Sequence, residues 1–166
     1  MTSEPETLVT EEMIAAKGVW ETEIRSHPVT ESDIRKWALS TFWPDKPPRI
    51  YWDNEYARGT RWGGIIAPRD FNPFAWPIDR PVGPASKGPL PGQTPKKGEN
   101  ILNGGQRDTF FEVIRPGDSL ITRTRLSHWE EREGRLGLTV FSYIEIEWRN
   151  QDDKLVKRRI STRIRY

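Results

Sequence analysis

The chain has 166 residues, a hydrophobic fraction of 34%, a charged fraction of 30% and a formal net charge of +2. That length can bury a core as one domain, no apolar run reaches bilayer-spanning length, and the mixed charge is not that of a basic protein. The absence of cysteine and the presence of only His27 and His128 exclude disulfides, thiolate metal sites and multi-histidine metal centres.

The stretch Met1–Thr10 is acidic and polar, without the apolar core of a signal peptide. Together with the missing cysteines it fits a reducing, cytoplasmic setting. Thr10 before Glu11, Glu12 and Met13 reads as a capped helix start and Gly18 as the stop, with Met13 and Ile14 expected to pack on the body. Alternation over Trp20–Arg25 predicts a short strand. Glu31–Phe42 is the clearest helix: Thr30 is its N-cap, and Val29 and Ile34 sit at the two positions of a hydrophobic staple. Ile34, Trp37, Ala38, Thr41 and Phe42 recur with the spacing of one buried face, and Pro44, Pro47 and Pro48 end the helix. Another helical turn is expected within Asp53–Arg61, broken by Gly63-Gly64. Ile65, Ile66 and Ala67 lead to Pro68, which suits the first turn of a further helix reaching Trp76, although Pro73 strains it.

Residues 77–105 hold six of the 14 prolines and six of the 13 glycines. This Pro/Gly-rich insertion reads as an ordered loop, a mobile flap or a disordered insertion, and not as a regular element. Four antiparallel strands follow within residues 107–166: Asp108–Ile114, Ser119–Trp129, Leu136–Arg149 and Val156–Tyr166. Arg115-Pro116-Gly117-Asp118 is a strong turn between the first two. In the third, Leu138, Val140, Ile144, Ile146 and Trp148 alternate with Thr139, Glu145, Glu147 and Arg149, and Phe141 and Tyr143 argue that part of the second face is covered. In the last, Val156, Ile160, Ile164 and Tyr166 oppose Lys157, Arg159, Arg163 and Arg165. Each long strand is expected to keep one wet face, giving an antiparallel sheet packed on helix and an α+β class for residues 1–166 as one domain. The basic residues of Lys154–Tyr166 fit a solvated strand face, and no nucleic-acid recognition motif accompanies them.

The richest stretch for chemistry is Pro44–Pro68, with Asp45, Arg49, Tyr51, Asp53, Glu55, Tyr56, Arg58 and Arg61 between two expected helices. Carboxylates beside tyrosine and arginine do acid–base work when some are buried, and glycines before a helix N-terminus leave amides to polarise a carbonyl. An ordinary polar loop with turn residues accounts for the same spacing.

Several segments of this chain resemble MaoC-like dehydratases (the enoyl-CoA hydratase 2 family), and more narrowly their amino-terminal-type, FAS1-like hot-dog domain. They are Val29-Thr30 with Asp33-Ile34, Pro48 with Tyr51-Trp52-Asp53-Asn54-Glu55-Tyr56-Ala57, and Gly63-Gly64-Ile65-Ile66-Ala67-Pro68. Asn103-Gly104-Gly105-Gln106, Arg115-Pro116-Gly117-Asp118 and the stretch from Tyr143 to Val156 match in the same order, so the resemblance spans about residues 17–166. It implies a hot-dog fold, an antiparallel sheet wrapped around a central helix that would lie near Pro68–Trp76, with two such units paired. It also implies 2-enoyl thioesters of CoA or an acyl-carrier protein as substrates, hydrated reversibly to 3-hydroxyacyl thioesters without a cofactor. On that reading Gly63, Gly64, Ile65, Ala67, Pro68, Phe71 and Trp76 are the substrate-binding residues, the 77–105 loop lines or lids the acyl pocket, and Lys87, Lys96, Lys97 or Arg107 meet the CoA phosphates, unless they are solvated loop cations.

Catalytic members carry an Asp and a His in a stretch running Asp, any, Asn, Pro, any, His, any, Asp. Here the histidine position falls on Ile50 when counted from Asp45, or on Tyr51 when counted back from Asp53. The second register keeps Asp53 and Ala57, and a tyrosine, with its ordinary pKa near ~10, is a poor general base at neutral pH. His27 and His128 lie away from the motif and read as surface or structural histidines. The resemblance therefore implies a subunit that pairs with a catalytic MaoC-like hot-dog chain. The alternatives are a self-sufficient homodimeric hydratase using Asp45, Tyr51 and Asp53, and an acyl-CoA-binding module without chemistry.

Overall fold

The structure is a computed structural model that describes residues 7–75, 98 and 100–166. Helix α1 (Glu11–Ala16) begins where the Thr10 side chain accepts the Met13 amide, and the chain turns out of it at Gly18. Ile14 is exposed, contrary to expectation. Six residues make under two turns and offer one narrow contact strip, which goes to Met13, whose sulfur lies 3.4 Å from the Arg165 guanidinium. Strand β1 (Ile24–Arg25) is the regular end of a longer edge: the Gly18 and Glu21 amides also donate to the Leu126 and Thr124 carbonyls, at 2.8 Å each.

Helix α2 (Glu31–Phe42) has the predicted bounds. Its start is a reciprocal cap, with the Asp33 amide donating to the Thr30 hydroxyl at 3.1 Å and the Thr30 amide to the Asp33 carboxylate at 2.9 Å. The staple residues Val29 and Ile34 are both buried in the core. The inward face is narrower than the spacing predicts, because Thr41 is exposed and its hydroxyl donates back to the Trp37 carbonyl at 3.0 Å. A 3₁₀ turn (Arg49–Tyr51) and the short helix α3 (Asn54–Arg58) follow, the latter capped by the Asp53 carboxylate, which accepts the Tyr56 amide at 3.0 Å.

The described residues then form β2 (Ile101–Phe110), β3 (Ile121–Gly134), β4 (Gly137–Arg149) and β5 (Leu155–Arg165). With β1 they make one antiparallel sheet in the order β1-β3-β4-β5-β2. The last three expected strands are present, but the first is displaced: β2 begins at Ile101, inside the stretch read as loop, and ends at Phe110, so that only Asp108–Phe110 of the expected Asp108–Ile114 is strand. A bulge between Asn103 and Gln106 accommodates the pair Gly104-Gly105 within the strand. Gly104 passes so close to β5 that a Cβ there would sit 2.8 Å from the Thr162 methyl. The predicted turn after β2 is built as expected: Gly117 has φ +93° and the Asp118 carboxylate accepts the Arg115 amide at 2.7 Å.

Residues 68–75 are turns and not the central helix expected over Pro68–Trp76. Pro73 lacks the amide a helix needs, and the Asn72 side chain takes the Phe74 amide at 3.0 Å, closing a local turn instead. The long helix among the described residues is α2, and it is α2 that joins the core against the sheet. Ile34 shares one buried core with Leu120, Trp148 and Val156 from the sheet side and Ala57, Ile65, Ala67 and Phe71 from the intervening segment. Trp37 meets Phe71 edge-on at 5.5 Å, and Phe74 meets Trp148 at 5.4 Å.

The two long strands do not each keep a wet face. Trp148 pairs with Lys157 and Ile146 with Arg159, so the apolar side of β4 shares a face with the basic side of β5. On the other face Glu145 and Glu147 are 6% and 3% exposed, held by Arg123, Arg125, Arg149 and Arg158. Trp20 covers the guanidiniums of Arg123 and Arg125, each 4.2 Å from its ring. Burial is the largest single influence on the Glu147 carboxyl and opposes its charge, yet bonds from Arg158, Arg123 and Arg149 together hold its pKa below the usual value. Phe141 and Tyr143 are covered by the neighbouring strand, with Arg132 over the Phe141 ring and His128 stacked on Tyr143 at 4.2 Å. No helix of the described residues is long and apolar enough to cross a membrane.

Candidate functional site

A cavity of ≈ 510 Å³ lies between the segment 50–69 and the sheet. Ile50 and Tyr51 enter it from the 3₁₀ turn, Tyr56 from α3, Thr60–Trp62 and Ile66–Arg69 from the strand-like connection, and Phe110–Ile114, Trp148, Val156 and Lys157 from the sheet side. Two bonds fix the connection over the sheet: the Ala67 amide donates to the Ile114 carbonyl at 2.8 Å, and the Arg115 guanidinium donates to the Trp62 carbonyl at 2.8 Å. The wall is mainly apolar and aromatic, with a few polar tips, the make-up of a small-molecule site.

Tyr51 is half-buried, and its pKa is raised by burial first and by the negative charge of Asp70 second, with Arg69 opposing. Lys157 is 4% exposed and lies under the cavity with its ammonium 3.6 Å from the centre of the Trp148 ring. Burial is the main reason its pKa is lowered, Arg159 adds to the effect, and Asp108 and Asp70 oppose it. Asp108 and Arg159 form a two-bond pair at 2.7 Å each beside it.

The sequence-predicted residues divide clearly. Tyr51, Ala67 and Pro68 line the cavity. Asp53 does not: it caps α3 and pairs with Arg49 at 2.8 Å, and these contacts, the Tyr56 amide first, hold its pKa down. Asp45 is exposed outside the lining, its amide bonded to the Phe42 carbonyl. Ile65 and Phe71 are core residues. Gly63 is a turn residue with φ +68°, and Gly64 opens an extended segment, so the pair does not precede a helix N-terminus. Arg107 is exposed on β2, and His27 and His128 are exposed and outside the cavity. Trp76, Lys87, Lys96, Lys97 and most of the 77–105 insertion lie outside the described residues. Sequence reasoning missed Lys157 and Trp148 as site residues. Their directly paired positions are a matter of strand register, which alternation does not encode.

Over residues 15–159 the sequence matches the family described as FAS1-like, dehydratase domain region. The chain belongs to this family. The FAS1-like dehydratase domain also fits solved structures by fold. The ChsH1-ChsH2 complex from Mycobacterium tuberculosis matches with a TM-score of 0.64 at 18% identity, over 93% of this chain and 92% of that one. The MaoC-like dehydratase from Rhodospirillum rubrum matches with a TM-score of 0.56 at 19% identity, over 87% and 90%. The C-terminally truncated HadBC (3R-hydroxyacyl-ACP dehydratase) complex from M. tuberculosis gives 0.56 at 15% identity, over 90% and 96%. These likenesses establish the α+β hot-dog arrangement of an antiparallel sheet packed on a helix. No curated protein matches the sequence.

Proposed function

We propose that this FAS1-like dehydratase domain is the non-catalytic subunit of an enoyl-thioester hydratase (3-hydroxyacyl dehydratase). It holds an acyl thioester in the cavity, while a second MaoC-like chain supplies the Asp and His. Hydration needs a base that takes a proton from water near neutral pH. The observation that carries the reading is the cavity lining, which among the described residues contains Tyr51 and no histidine. Its one carboxylate, Glu112, is exposed. The raised pKa of Tyr51 keeps its hydroxyl protonated at neutral pH, so it donates a hydrogen bond and does not deprotonate water. Asp53 is committed to capping and to Arg49. The cavity volume of ≈ 510 Å³ is in the range of small-molecule sites, about 300–1,000 Å³. Two of the similar solved structures are themselves complexes, which supports assembly with a second chain.

The test is reconstitution. The purified chain alone is expected to leave crotonyl-CoA and longer 2-enoyl-CoA esters unhydrated, with turnover appearing when a catalytic MaoC-like chain is added. Full hydratase activity from the isolated homodimer overturns the proposal, and so does a complex whose rate equals that of the catalytic chain alone.

A further inference from the structure

Lys157 is more than nine-tenths buried, and its ammonium lies 3.6 Å from the centre of the Trp148 ring. Among the described residues no oxygen accepts a hydrogen bond from its ammonium. An ammonium has three donors, and covering it without supplying acceptors is costly. The neighbouring carboxylates do not meet them: both Asp108 oxygens are taken by Arg159 at 2.7 Å, and Asp70 is exposed and acts only through its charge. Lys157 lines the cavity, where a ligand can supply the acceptor that the protein does not.

The rest of the lining sharpens what that ligand is. Three cations, Arg61, Arg69 and Lys157, stand against the single carboxylate Glu112 among the described lining residues. Arg61 and Arg69 are exposed at the rim, where the phosphates of a carrier suit them, whereas Lys157 lies deep beside Trp148 and Val156. Tyr51 lines the same cavity, and the charge of Asp70 acts on both Tyr51 and Lys157. A plain hydrocarbon chain would remove the remaining water from Lys157 and return nothing to it; an anionic oxygen would complete it.

We propose that Lys157 makes the cavity selective for acyl groups that carry a carboxylate remote from the thioester, with the Tyr51 hydroxyl as a second donor to it. The inference rests on the acyl-thioester reading above and names the substrate class for that site. Calorimetric titration of the full chain, alone and with a catalytic MaoC-like chain, compares octanoyl-CoA with the mono-CoA thioester of suberic acid, which has the same length and a terminal carboxylate. The suberic ester is expected to bind about ten-fold more tightly, the value of one charge-assisted hydrogen bond. Lys157→Met is expected to bring the two esters to within about two-fold of each other, and Lys157→Arg to keep the preference. Equal binding of the two esters to the wild type, or a preference that survives Lys157→Met, overturns the selectivity and leaves the subunit reading standing. Failure of both esters to bind, alone and in complex, overturns the thioester reading and the selectivity with it.

Discussion

Asp108 accepts two bonds from Arg159, and this pairing is the chief reason its carboxyl lies below the usual carboxylate range; burial opposes it, and the charges of Arg159 and Lys157 assist. A carboxyl whose pKa is lower folded than unfolded stabilises the fold above the unfolded value, near ~3.9, and loses that contribution as pH falls through the folded value. Asp108→Asn is therefore expected to cost about 1–2 kcal/mol at pH 7. The gap to wild type should narrow steadily as pH drops below about 4. Urea unfolding at a series of pH values checks it, and a gap independent of pH contradicts it. The same residue-level reading separates Asp53 from Tyr51. Both stand in the family's motif stretch, yet one carboxylate is spent on the α3 start and Arg49, while the phenol turns into the cavity. Nothing in the spacing distinguishes a capping aspartate from a catalytic one; the hydrogen-bond partners do.

At the scale of elements, the bounds, cap and staple of α2 are legible because they are local, whereas its apolar spacing overstates the buried face. Thr30→Ala removes the acceptor for the Asp33 amide and is expected to destabilise the protein by about 1 kcal/mol. Thermal unfolding measures this, and an unchanged midpoint would mean the cap contributes nothing. Glycine and proline act through their tertiary partners in two of the elements that differ from expectation. The pair Gly104-Gly105 sits in a bulged strand held against Thr162 and Ile164, so β2 extends back to Ile101. Conversely, Pro68 and Pro73 bracket turns, where a helix was expected. The sheet's second face was read as wet from its charges, but charges from three adjacent strands neutralise one another there. Glu145 and Glu147 are buried by the arginines of β3 and β5.

For the whole molecule, Phe71 ties the parts together: it is 2% exposed, meets Trp37 of α2 at 5.5 Å, and shares the core with Ala67, Ile114 and Trp148. Phe71→Ala is expected to cost about 3–5 kcal/mol through lost burial and the cavity left behind. It should also weaken acyl-thioester binding, since Ala67, Ile114 and Trp148 line the site. Chemical denaturation and ligand titration of the same variant read the two effects separately, and a loss below about 1 kcal/mol would remove Phe71 from the centre of the core. The sequence by itself determined the α+β class, the long helix, the last three long strands and the absence of a histidine from the motif stretch, because caps, turn residues and alternation are local and survive without any partner. Only the tertiary structure decided which faces meet. Strand alternation defines two faces but not which of them lies opposite which, since a shift of one residue exchanges them. The pairing of Trp148 with Lys157, set by register and by the irregularity next to it at Arg149, turned a strand of apparently solvated cations inward. That pairing puts a buried lysine under the cavity and gives the site the charge on which its proposed selectivity depends.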